Sequence, residues 1–232
     1  MRNLLLLLSV TLFFSACSAH KEPLKVVKVV PEKKEKNLED IGAKMGDPIY
    51  MRIFKEEKSL QLWVKVNKRF KLYKTYPIQR TSGKLGPKQK DGDRQNPEGI
   101  YVINKGNLNP FSKYHLAMNI GYPNRLDRNQ KRTGNAIMIH GGCKSIGCFA
   151  MGDPNIEEIY TLAYNALDNG QRFFYVAIYP FKMKEENLKR YQEASWYPFW
   201  LNLKEGYELF NKERVPPKVT VKGKKYIFKT AR

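Results

Sequence analysis

Ala136-Ile137-Met138-Ile139-His140-Gly141-Gly142-Cys143-Lys144-Ser145-Ile146-Gly147-Cys148-Phe149-Ala150-Met151 decides how this chain is read. The apolar run 136–139 has the length and branching of a buried strand and delivers His140 at its end. A glycine-rich turn follows, and Cys148 stands just ahead of a helix. Asp153 reads as the N-cap of that helix and Pro154 as its first residue. A nucleophilic thiol needs a base within hydrogen-bond reach and backbone N–H groups aimed at a developing oxyanion. His140 supplies the base, and the Gly147 and Cys148 N–H groups the oxyanion donors. With no Asp or Glu inside the turn, the Gly141 carbonyl is the simplest acceptor to orient the imidazole. Three other readings stay open: a metal site of His140, Cys143 and Cys148 with His115 as a fourth ligand, a Cys143–Cys148 disulfide, and two inert packed thiols.

Working outward, Ile49–Phe54 is β-prone. Leu60, Leu62, Val64 and Val66 alternate with Gln61, Trp63 and Lys65, and Phe70 and Leu72 continue the alternation, so 60–78 reads as a hairpin. Further β-like runs lie at Gly99–Ile103, His115–Ile120, Ala136–Ile139 and Phe173–Tyr179. Ile156, Ile159, Ala163, Ala166 and Leu167 recur at helical spacing up to a stop at Asn169-Gly170. A charged helical stretch spans Glu185 to Ala194. An aromatic segment runs from Trp196 to Phe210, and a Lys-rich strand from Val219 to Phe228. The prediction is a mainly β domain with few helices (α+β) over 45–182 and a C-terminal extension over 183–232. Two polar loops interrupt it. Residues 81–99 hold four Gly and two Pro, and loops that long in compact domains are usually functional or disordered. Residues 121–135 carry Arg125 and Arg128, placed to hold a carboxylate bidentately or simply to face solvent.

Lys and Arg number 42 against 22 acidic residues in 232, a formal charge of +20, with ten basic residues and no acid between Lys58 and Lys90. That balance suits an anionic partner. An apolar content of 42% excludes wholesale disorder, and three cysteines are too few for a disulfide scaffold. Met1-Arg2-Asn3 and the apolar run Leu4–Phe14 form the n- and h-regions of a secretory signal, too short to span a bilayer. Phe14-Ser15-Ala16-Cys17 resembles a bacterial lipoprotein signal. That resemblance implies a signal peptide over 1–16, lipidation of Cys17 and, with Ser18 next, an outer-membrane anchor facing the periplasm. Residues 17–44 are a Lys-rich tether. Export demotes nucleic acid as the partner of the basic charge.

His-Gly followed by Ser-x-Gly-Cys resembles the active-site signature of the L,D-transpeptidases, the YkuD-type catalytic domain. GPKQKDGDRQNPEGIY (86–101), HLAMNIGYPNRLDR (115–128) and NAIMIHGGCKSIGCFAMGD (135–153) agree with it, and the resemblance covers roughly 49–182. The eight-residue step from His140 to Cys148, Ile146 before Gly-Cys, and the tail 196–219 are similar to the YafK-like branch. The resemblance implies a β-sandwich or barrel-like domain with one main helix and a helix-strand appendage. It implies attack by Cys148 on the bond between the L- and D-centres at diaminopimelate in a peptidoglycan tetrapeptide stem, through a thioester. His140 is then the base and Gly141 its orienting carbonyl, with Ser145 and Gly147 beside the nucleophile in the oxyanion and substrate region. The acceptor is a stem amine or an envelope lipoprotein's amine. Hydrolysis by a carboxypeptidase or amidase, or wall binding without catalysis, are the alternatives. No metal or cofactor is implied.

Overall fold

The computed structural model describes residues 38–231. The signal segment 1–16, Cys17 and the tether up to residue 37 lie outside the described residues. At 38–40 a helical turn starts the described chain, and Leu38 and Ala43 are buried in the core.

Alternation in the sequence becomes sheet directly. β1 (Ile49–Phe54), β2 (Ser59–Val66) and β3 (Arg69–Pro77) form an antiparallel meander, extended by β9 (Phe174–Tyr179) and β4 (Gly99–Ile103) into one sheet of order β3-β2-β1-β9-β4. β9 runs parallel to β1 and antiparallel to β4. A second sheet has the order β5-β6-β7-β8: β5 (Leu108–Ser112), β6 (His115–Asn119), β7 (Met138–His140) and β8 (Phe149–Ala150). Helix α2 (Asp153–Asp168) packs with it.

Apart from the largely exposed edge strand β3, the five-stranded sheet is buried on both faces, and the period of two decides which residue goes where. Met51 and Ile53, Leu60, Leu62 and Val64, Tyr101 and Ile103, and Val176 and Ile178 share one core with Leu116, Met118, Ile139 and Phe149 of the second sheet and Ile156 and Ile159 of α2. Their neighbours Tyr50, Phe54, Trp63, Ile100, Ala177 and Tyr179 form a second core with the C-terminal extension. That extension comprises α3 (Glu185–Arg190), α4 (Tyr197–Glu213) and the hairpin β10 (Lys218–Lys222) and β11 (Lys225–Lys229). The expected α+β, mainly β architecture is therefore observed, as a sandwich with a third layer on its outer face.

Three elements differ from the sequence reading. The polar loop 121–135 contains a short helix, α1 (Arg125–Asn129), started by a reciprocal capping box between Asn124 and Asp127. The aromatic segment of the C-terminal extension is the long helix α4, close to α2 in length, while α2 remains the one long helix within 45–182. The single final strand is a hairpin that turns at Gly223 (φ +59°). α4 meets this hairpin at Gly206, where a Cβ would lie 2.4 Å from the Phe228 ring, so only glycine permits the approach.

One buried ion pair ties the layers together. Lys55, just past β1, places Nζ 2.9 Å from Glu98 Oε1, with both side chains almost fully buried. Nζ also donates to the Gly86 and Asn96 carbonyls, while Glu98 accepts from the Gly86 N–H and from Trp200 Nε1 of α4. Burial pulls the Lys55 pKa down against the opposing pull of Glu98. Removing one member of such a pair strands a buried charge and costs about 3–5 kcal/mol. Lys55→Met is therefore expected to lose about that much in urea unfolding, and Lys55→Met/Glu98→Gln to recover most of it. A single variant as stable as the parent would show that the pair does not hold the layers.

Candidate active site

β7 ends at His140, as the apolar run requires. The residue is only 2% exposed, and its Nδ1 lies 2.6 Å from the Gly141 carbonyl. A carbonyl can only accept, so Nδ1 carries the proton and Nε2 keeps a free lone pair. The Tyr114 ring stacks on the imidazole at 4.7 Å between centroids. The turn that holds this carbonyl is itself fixed. Gly141 N–H donates to Leu116 O, and Gly142 N–H donates to Asp153 Oδ1 at 2.7 Å. A Cβ on Gly141 would stand 2.6 Å from Asp153 Oδ1 and 2.7 Å from the Tyr114 carbonyl, so the position admits no side chain. Asp153 was expected to cap α2. Gly152 is the N-cap instead, and the Asp153 carboxylate serves the His140 turn. Burial lowers the His140 pKa below its usual 6.5, partly offset by the hydrogen bond to Gly141.

Cys148 enters from the neighbouring strand. β7 and β8 pair in parallel, Ile139 with Phe149 and His140 with Ala150. Ile139 and Phe149 are both fully buried in the core, so alternation sends His140 and Cys148 to the opposite, common side. The thiol is half-buried. It accepts from the Met138 N–H at 3.4 Å and donates to the Ala136 carbonyl at 3.6 Å. Burial raises its pKa above the usual 9.0, against smaller lowering effects from the Met138 N–H and the nearby Lys88 ammonium. The resting pair is thus a neutral thiol beside a neutral imidazole, with the sulfur turned to the strand backbone rather than to Nε2.

The loop 81–98, polar and glycine-rich in sequence, is what holds Cys148. Asn96 is fully buried, and its amide N–H groups reach the Gly147 carbonyl at 2.9 Å and the Cys148 carbonyl at 2.7 Å. Its Oδ1 accepts from the Ser82 N–H, and Ser82 Oγ accepts from the Gly147 N–H at 2.6 Å. The sequence reading missed Asn96 and Ser82, because no spacing or periodicity relates them to the cysteine. Lys88, the other group it missed, is buried against Asp93.

Several expected placements change. The Gly147 N–H, read as an oxyanion donor, is already engaged by Ser82, and the Ser145 hydroxyl donates to the Cys148 carbonyl rather than facing a substrate. Arg125 and Arg128 sit exposed on α1, where Arg128 donates to the Pro123 carbonyl. Neither touches the cysteine motif among the described residues. Cys143 is exposed, and both it and Cys148 are free thiols, so the disulfide is not formed. His115 pairs with Glu157, and among the described residues no His, Cys, Asp or Glu cluster is arranged to hold a metal.

Asn96→Ala leaves buried carbonyls short of donors and is expected to cost about 1–3 kcal/mol in urea unfolding. Asn96→Asp should cost more, since it turns an oxygen toward two carbonyls. If the Asp variant matches the parent, these contacts do not hold the cysteine turn.

The chain is 45% identical over 183 residues to YafK of Escherichia coli K12, which bears the name of an L,D-transpeptidase. The match covers 79% of this chain and 74% of YafK, and the O157:H7 protein matches equally. Among solved structures, the helical cell shape determining protein Pgp2 of Campylobacter jejuni (K307A mutant) has a TM-score of 0.47 at 21% identity over 76% of this chain and 63% of its own. Bd1075 of Bdellovibrio bacteriovorus has a TM-score of 0.41 at 22% identity over 72% and 61%. Residues 49–168, which include β1 through α2 and the whole cysteine turn, match the YkuD family model. The chain belongs to the YkuD family of L,D-transpeptidase catalytic domains.

Proposed function

We propose that the chain is a cysteine-dependent L,D-transpeptidase of the cell envelope, acting on peptidoglycan tetrapeptide stems. Family membership supports the reaction class. The observation that carries the residue assignment is the pairing of β7 with β8. It sends His140, with a free Nε2 set by the Gly141 carbonyl, and Cys148 to the same side of the sheet on adjacent strands. Envelope attachment is assigned from the sequence 14–17, with Cys17 lipidated and the chain facing the periplasm.

The reaction begins with the stem seated over the turn. Rotation about the Cys148 Cα–Cβ bond brings the sulfur from the Ala136 carbonyl to Nε2 of His140, which takes the thiol proton. The sulfur attacks the diaminopimelate carbonyl. With the Gly147 N–H held by Ser82, the Cys148 N–H is the donor left to the oxyanion, and one such donor is worth about 3 kcal/mol. The C–N bond breaks, D-alanine leaves with the proton from the imidazolium, and a thioester remains on Cys148. An amine, of a second stem or of an envelope lipoprotein, attacks the thioester, gives its proton to His140 and releases the cross-linked product with the thiol restored. Gly141 acts throughout by holding the tautomer, and no step calls for a metal or organic cofactor.

Incubation of the purified protein with disaccharide-tetrapeptide, with and without an acceptor stem, tests the reading by mass spectrometry. A cross-linked dimer is expected. A shortened stem alone would make water the acceptor, and an unchanged substrate would refute catalysis. Cys148→Ala should abolish turnover, and His140→Ala should lower it by about 10²–10⁴-fold. Cys143→Ala should stay active, and a carbapenem adduct should form on Cys148 alone. An adduct on Cys143 would overturn the assignment of the nucleophile.

The pH dependence follows from the two shifts. The thiol titrates above 9.0 and the imidazole below 6.5, so between them the pair carries no charge. Alkylation of Cys148 by iodoacetamide in the free protein should rise about tenfold per pH unit through neutrality, with its inflection above 9.0. Turnover should fall only below 6.5, as His140 protonates. An alkylation inflection below 7 would instead reveal a preformed thiolate–imidazolium pair.

A further inference from the structure

The C-terminal hairpin and α1 together carry a strongly cationic surface. The hairpin β10–β11 turns Val219, Val221, Tyr226 and Phe228 toward α4 and the sheet, leaving Lys222, Lys225 and Lys229 on its outer face. Its register sets Lys222 directly opposite Lys225. Like charges facing each other across a strand pair destabilise it. The turn then docks on α1, where Asn129 Nδ2 donates to the Gly223 carbonyl at 2.7 Å. That contact sets Lys222, Lys224 and Lys225 next to the element that exposes Arg125 and Arg128.

Compensating acid is missing from both segments. Residues 214–232 contain none, and the one acid of 121–135, Asp127, is fully buried against Arg132. Elsewhere the chain uses its carboxylates to pair cations, as at Lys55–Glu98, Lys74–Glu158, Lys88–Asp93 and Lys105–Asp168. The surface is also built on a two-stranded ribbon. It fits an extended polyanion rather than a small ligand, and lysine ammonium groups suit diffuse charge better than a shaped anion site.

We infer that the α1–hairpin junction is a docking surface for the carboxylate-bearing peptidoglycan polymer. This rests on the reading of the substrate in the preceding subsection. Arg125 and Arg128, drawn from the sequence as carboxylate ligands, then act on the polymer at this surface and not at the scissile bond. Docking keeps the chain on the sacculus between turnovers and raises the local concentration of stems around Cys148.

Co-sedimentation of the full chain carrying Cys148→Ala with purified sacculi tests this without turnover. Binding should weaken steeply between about 50 and 300 mM salt. Lys222→Glu/Lys225→Glu and Arg125→Glu/Arg128→Glu should each weaken it by about tenfold or more. Lys65→Glu/Lys68→Glu, at the far β2–β3 turn, should change it far less. Equal loss in that control would reduce the effect to net charge and overturn the proposal, as would undiminished sacculus binding in the hairpin variant. A hairpin variant that loses acidic vesicles but keeps sacculi would make a bilayer the partner and equally overturn it. Lys222→Gln/Lys225→Gln should show the same direction if charge reversal perturbs the hairpin. In the Cys148 chain, the hairpin variant should process soluble disaccharide-tetrapeptide at the parental rate. Absent turnover with intact charge-dependent sacculus binding would refute the catalytic reading and leave the surface standing.

Discussion

The pairing of Lys55 with Glu98 is the constraint from which the site's order follows. A lysine at the end of the central strand has no favourable place inside a protein without a carboxylate to meet it. Glu98 meets it and also takes the indole N–H of Trp200, so the C-terminal helix and the long loop 81–98 are joined to β1 by one buried charge pair. The same loop carries Asn96 two residues earlier. Its amide holds the carbonyls of Gly147 and Cys148, so the backbone of the cysteine turn is tied indirectly to the core of the sandwich. The turn around Cys148 is rich in glycine and would be soft by itself. Its stiffness is borrowed from residues fifty positions away.

A similar division of labour appears on the histidine side. His140 takes its tautomer from the next residue's carbonyl, and that carbonyl is positioned by Leu116 and Asp153 from two other elements. Among the described residues, the hydrogen-bond partners of the His140 imidazole and the Cys148 thiol are backbone groups rather than charged side chains. Burial is the largest influence on both pKa values and acts on both toward the neutral form. Both shifts favour the neutral forms, so on the proposed reading the thiol gains reactivity only when sulfur and imidazole meet.

β2 and the start of β3 were legible from a period of two in the residues themselves, whereas β1 and β9, buried along almost their whole length, were legible as β-prone runs without alternation. The helix α2 was legible from its apolar stripe. β5 and β8 were not, since Leu108–Ser112 has no alternation and Phe149–Ala150 is two residues long. α1 lay hidden in a polar loop although its Asn-x-x-Asp box is a start signal, because the segment is too short for any periodicity to show. At the site, His140, Gly141 and Cys148 could be read locally since a turn brings them together. Asn96, Ser82 and Lys55 could not, because what makes them matter is burial with a distant partner, and a polar side chain in a polar loop carries no mark of it. Gly147 was read as a free donor for the same reason: its partner, Ser82, is sixty-five residues away.

The central sheet holds a consequence for where this protein can be divided. The family match ends at residue 168, at the C-terminus of α2, whereas β9 begins at Phe174 and lies between β1 and β4 in the sheet. A polypeptide stopped at that boundary would have no strand to join β4 to the meander. It would also bare the aromatic outer face of Tyr50, Phe54 and Trp63 that α4 covers. The recognisable segment of the sequence is therefore smaller than the unit that can fold, and grafting or excising the activity has to respect the latter.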